Sequence, residues 1–170
     1  MSVRVLGIDP GLRVTGYGAI EFGTRRARLL EAGIVSPDTS GTLEERLLAL
    51  HRGITEVVTA TDPQVIVIEE LFSNYKNPLT AVLMGHARGV LCLAAAQHGA
   101  SVETLGHSLV KRALTGSGAA KKEQVRSMVI HLLGLARIPE PPDVSDALAL
   151  ALAYWNMRES AARLPAGALR

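Results

Sequence analysis

The sequence predicts an α/β protein: a five-stranded mixed sheet, three antiparallel strands followed by two parallel ones, flanked by helices. Three observations carry that prediction. Three strand-like segments follow one another at the start, joined by short turns. Helical periodicities then alternate with short apolar runs. Val65 to Ile68 is a continuous β-branched stretch, as expected of a strand covered on both faces. With 170 residues, 48% of them hydrophobic, the chain can bury one substantial core. We expect a single domain over residues 1–158 and a flexible tail over 159–170, where little is left to bury.

Val3 to Asp9 reads as a buried strand ending in a Pro-Gly turn. Val14 to Phe22 and Arg26 to Val35 read as the next two, with Gly23-Thr24 as the turn of a hairpin. Thr42 and Glu45 have capping-box spacing and open a helix with Leu43, Leu47, Leu50, Ile54, Val57 and Val58 on one side. It should stop near Thr61, ahead of Asp62-Pro63. After the Val65 strand and a polar loop, a small-residue helix is expected from Leu79 to His98, closed by Gly99. Ser101 to Thr104 is the fifth strand. Helices over His107–Leu114, Lys121–Leu133 and Asp143–Met157 follow, the last entered through the stiff segment Pro139-Glu140-Pro141-Pro142.

Net charge is only +2, so gross charge announces no polyanionic partner. Its distribution does more. Lys111, Arg112, Lys121, Lys122 and Arg126 face the single acid Glu123 between Gly106 and Arg126. Such a cluster is often only a solvated face, but beside an acidic site it can hold a polyanion. The single cysteine, Cys92, excludes an internal disulfide and fits a cytoplasmic location. The unbroken apolar run Val90 to Ala96 is shorter than a bilayer span, so no membrane segment is expected. Gly11 and Gly16-Tyr17-Gly18 have neither dinucleotide-binding nor P-loop spacing.

Four carboxylates stand where apolar elements should end or begin: Asp9, Glu69, Asp143 and Asp146. Three of the chain's five aspartates belong to this set. Each has an ordinary structural explanation, as turn residue, loop opener, helix N-cap or dipole partner. Their placement at the carboxyl ends of neighbouring strands and on one helical face points instead to a shared site. Unpaired charges against apolar segments are costly, and clustered carboxylates without Cys or His suit Mg²⁺ or Mn²⁺. Glu69 and Glu70 point to opposite faces, so only one joins the cluster, and spacing alone does not choose between them.

Leu6-Gly-Ile-Asp-Pro-Gly-Leu-Arg-Val-Thr-Gly-Tyr-Gly18, Ile68-Glu-Glu-Leu-Phe72 and Asp143-Val-Ser-Asp-Ala-Leu-Ala149 resemble the RuvC family of Holliday-junction resolvases, in the family's order from about Val3 to Ala153. The resemblance implies an RNase H-like fold. It also implies a metal-dependent endonuclease placing symmetric nicks in two opposed strands of four-way DNA junctions, leaving 5′-phosphate and 3′-hydroxyl ends. The catalytic and metal-binding acids would be Asp9, Glu69, Asp143 and Asp146, which favours Glu69 over Glu70. Some relatives carry His where this chain has Asp143. Two Mg²⁺ ions per site are implied, with Mn²⁺ as substitute. DNA contacts are implied at Phe72, Lys111 and Lys122, with Lys121 adjacent to the last. A homodimer and a RuvAB-type branch-migration partner follow from the same resemblance. An RNase H-type nuclease acting on RNA–DNA hybrids would share the fold and metal chemistry. The actin and sugar-kinase class opens with a similar strand and turn, but needs a second Asp-x-Gly loop that this sequence lacks.

Overall fold

A computed structural model describes residues 2–11, 13–23, 27–71 and 77–163. Its strands are β1 (Val3–Asp9), β2 (Thr15–Phe22), β3 (Ala27–Val35), β4 (Val65–Glu69) and β5 (Ser101–Leu105), in one sheet of order β3-β2-β1-β4-β5. β1, β2 and β3 pair antiparallel, while β1–β4 and β4–β5 are parallel. The helices are α1 (Leu43–Thr61), α2 (Pro78–His98), α3 (His107–Thr115), α4 (Lys122–Leu133) and α5 (Pro142–Arg163).

The sheet lies between two helical layers, and strand alternation sorts its side chains. Val5, Val65 and Val67 enter the core shared with α3, α4 and α5. Leu6, Ile8, Ile66 and Ile68 enter the core shared with α1 and α2. A strand buried on both faces must be apolar at every position, which is why β4 shows no polar alternation until Glu69.

α1 begins as its capping box requires: Thr42 Oγ1 accepts from the Glu45 backbone N–H and Glu45 Oε2 from that of Thr42. α5 is nearly apolar all round, and Val144, Ser145 and every residue from Ala147 to Ala153 are buried. It runs on to Arg163 rather than ending at Met157, so the first five residues of the expected tail are helical. Local bonds carry the extension: Ser160 Oγ donates to the Asn156 carbonyl, and Arg163 pairs with Glu159 at 3.3 Å.

α2 corrects the membrane reading on its own terms. By length and composition it could cross a bilayer, which counting only the unbroken run Val90 to Ala96 concealed. Yet Met84, Ala87, Leu91, Ala94 and Ala95 are buried in the fold, against α1 and the sheet. Mid-helix Arg88 bonds polar groups of β4 and β5. One face of α2 is thus packed in the fold, though only 28% of its apolar window is buried.

Candidate active site

β1 and β4 run parallel and in step, Ile8 opposite Ile68. With Ile8 and Ile68 both on the α1–α2 side, the next residues, Asp9 and Glu69, both face α5. The same alternation turns Glu70 away, and its carboxylate lies against Gly106 instead. The ambiguity between Glu69 and Glu70 is thus resolved by which face the strand buries.

The other two acids arrive on α5, whose backbone reaches the sheet because three positions of the floor beneath it are glycines. A Cβ on Gly16 would lie 2.2 Å from the Asp143 carbonyl oxygen, and one on Gly7 2.0 Å from that of Ala147. One on Gly18 would meet Leu148 Cδ2 at 2.5 Å. Three glycines on β1 and β2 therefore form a seat for the helix, and Gly16 is the register partner of Asp9. The helix start is tied down by Ser145 Oγ, which donates to the Pro139 carbonyl at 3.0 Å.

Electrostatics show that the four acids share one space. The Asp9 carboxyl is pushed up to about 8, first by burial, then by the charges of Glu69 and Asp146. A side-chain hydrogen bond with Glu69 and the charge of Asp143 add to it. Glu69 Oε1 accepts from His107 Nδ1 at 2.6 Å, and Asp146 Oδ2 from Lys122 Nζ at 3.0 Å. Both basic groups are held above their ordinary range, the hydrogen bond to the carboxylate being the leading cause in each case.

The structure separates the predicted lysines. Lys122 reaches the carboxylate cluster directly. Lys121 stands exposed at the N-cap of α4, its backbone N–H donating to Gln124 Oε1 at 2.8 Å. Lys111 lies half-buried on α3, the helix that begins beside Glu69. Phe72 lies outside the described residues.

Two basic partners of Glu69 escape a reading of sequence motifs. Arg88 donates through Nη1 to the Glu69 carbonyl at 2.9 Å and through Nη2 to Thr104 Oγ1 at 2.6 Å, pinning the ends of β4 and β5 to α2. A lone arginine inside a small-residue apolar helix was the available signal. His107, the first residue of α3, stood out in sequence only as the expected start of that helix.

Among the described residues no three Asp, Glu, His or Cys side chains are arranged, as placed, to hold one ion. Two of the four acids are turned to His107 and Lys122 instead. The donor set nevertheless fits a hard divalent cation. It is all carboxylate oxygen, and the displaced Asp9 carboxyl marks a concentration of negative charge that such a cation relieves.

The family model described as Crossover junction endodeoxyribonuclease RuvC matches residues 5–154. A protein of that description from Rhodopirellula baltica is 47% identical over 148 residues, 87% of this chain and 83% of the relative. The Thermus thermophilus RuvC structure superimposes with a TM-score of 0.87 at 34% identity, covering 94% of this chain and 97% of that one. The T. thermophilus RuvC in complex with Holliday junction substrate gives 0.84 at 33% identity, covering 93% and 96%. The β3-β2-β1-β4-β5 sheet with its helices is accordingly the RNase H-like fold of these structures. A match that starts inside β1 and ends inside α5 takes in both pairs of acids, and the chain belongs to the RuvC family of crossover junction endodeoxyribonucleases.

Proposed function

We infer that this chain is a structure-selective, metal-dependent DNA endonuclease that resolves four-way junctions by paired nicks in opposed strands. The observation that carries the reading is the convergence of Asp9, Glu69, Asp143 and Asp146 at the ends of β1 and β4 under the first turn of α5. Those four side chains would hold the metal, two Mg²⁺ ions with Mn²⁺ as substitute. When bound, the ions supply a lowered pKa for the attacking water and positive charge for the leaving 3′ oxygen. Asp9, whose carboxyl feels all three others, is the acid whose loss should disturb the site most. Lys122, already against Asp146, is placed to hold a phosphate oxygen beside the acids. Lys111 and Lys121 would hold the flanking backbone, each neutralised phosphate steepening the log–log salt dependence by roughly 0.9. Phe72 would stack on an unpaired base at the branch point, worth about 1–3 kcal/mol. Products carry 5′-phosphate and 3′-hydroxyl ends.

A four-way junction presents two equivalent strands, which a twofold protein matches. Leu79, Val82, His86, Gly89 and Leu93 follow one another at alternating three- and four-residue spacing along the outer face of α2, all exposed. That is the spacing of a helix–helix seam. Cβ atoms on Gly85 and Gly89 would meet nothing within 4 Å, so among the described residues nothing packs on the strip there. It is the proposed homodimer contact. A RuvAB-type branch-migration complex is the partner that family membership suggests, and the cytoplasm, with its chromosomal DNA and reducing conditions for Cys92, is the proposed location.

The test is cleavage of a mobile four-way junction beside linear duplex and RNA–DNA hybrid, with Mg²⁺, Mn²⁺ or EDTA. We expect metal-dependent paired nicks in the junction alone. Asp9→Asn should lower the rate on the order of 10³-fold while junction binding persists. Cutting of the hybrid in preference would replace the substrate.

A further inference from the structure

β5 ends at Leu105, the register partner of Glu69, and α3 starts at His107 two residues later. Between them Gly106 makes the turn, where a Cβ would come within 2.7 Å of Glu70 Oε2. The short link carries His107 back beside the end of β4, and its Nδ1 meets Glu69 Oε1 at 2.6 Å. An N···O contact of that length beside a carboxylate requires the ring nitrogen to donate.

Glu69 is thereby fixed at two points. Arg88 holds its backbone carbonyl, and His107 holds one carboxylate oxygen. Glutamate has a long rotatable side chain, and a ligand that must be ordered at the moment of binding binds its ion less tightly. With Oε1 bonded to His107 and a side-chain hydrogen bond to Asp9, the Glu69 carboxylate is held among the other acids. Bonds from an outer partner of this kind commonly orient metal-binding side chains.

We propose that His107 is a positioning residue for the metal site: by bonding Oε1 it holds the Glu69 carboxylate beside Asp9, where it would help to hold a divalent cation. The proposal rests on the metal-site reading given above. It assigns His107 no contact with the ion.

The test is calorimetric titration of the full-length protein with Mn²⁺ in the absence of DNA. His107→Ala should weaken binding about 10–100-fold. His107→Asn, whose amide N–H can reach the same oxygen, should recover most of that loss, and both variants should keep the wild-type thermal midpoint in EDTA. Unchanged affinity in His107→Ala, or an Asn variant no better than Ala, would overturn the proposal. So would a directly bound imidazole nitrogen in the spin-echo spectrum of the Mn²⁺ protein, which would make His107 a ligand. Glu69→Gln separates the two levels. If Glu69→Gln loses Mn²⁺ while His107→Ala does not, the positioning role alone falls. If the wild-type protein binds no Mn²⁺, the metal-site reading falls and takes the proposal with it.

Discussion

Asp9 closes the central strand of the sheet with its carboxyl pushed up to about 8, burial being the first cause and three neighbouring acids the rest. In the ion-free protein it therefore keeps its proton at neutral pH, whereas in the unfolded chain it would titrate near 3.8. The sign follows from linkage: a group raised on folding stabilises fully below its unfolded pKa and loses that contribution as pH rises through its folded one. In EDTA the thermal midpoint should fall between about pH 4 and about 8, and Asp9→Asn should make the slope shallower. A bound cation reverses the preference, so Mg²⁺ binding near pH 7 should release a proton. Calorimetry in two buffers of different protonation enthalpy reads that release, and equal heats in both would contradict it. The four acids stood out in the sequence because Asp9 and Glu69 close apolar strands and Asp143 and Asp146 open an apolar helix. Arg88 and His107 were not, because their partners belong to other elements and no local spacing records them.

At the scale of elements, the strands and most helix limits were legible to within a residue or so, since the apolar period and the caps coincide. The seat of α5 was not. Gly16 and Gly18 share a strand face, which the sequence displays, but nothing local says that a helix backbone lies on them. Their spacing served only to dismiss a phosphate-binding loop. The far end of α5 was misjudged too, because i,i+4 bonds among polar residues extend a helix that has stopped burying apolar ones. Gly16→Ala tests the seat: with the Asp143 carbonyl 2.2 Å from the added carbon, α5 must lift or tilt. We expect a loss of about 1–3 kcal/mol in urea unfolding. Divalent-cation affinity should fall with it, because Asp143 and Asp146 move with the helix. An unchanged midpoint and unchanged affinity would show that the helix sits more loosely than the contact implies.

For the whole molecule, the proposed twofold dimer would rest on α2. Leu79, Val82 and Leu93 are 61%, 55% and 52% exposed on its outer face, in a row that a second copy could cover. Val82→Glu places a charge in that row without touching the core or the acids. Sedimentation should then shift to an 18.0 kDa species, and junction cutting should lose its pairing, with one strand nicked rather than two. A variant that still sediments as a dimer would move the interface elsewhere. The glycine seat also has a consequence in time. β1 and β4 supply Asp9 and Glu69 early in synthesis, but Asp143 and Asp146 ride on the last of the described elements. A nascent chain emerging from the ribosome holds only half the acids until α5 is released and lands on its three glycines. On the proposed metal-site reading the nuclease is thus incomplete while it is being made, and any fragment that ends before Pro142 stays so.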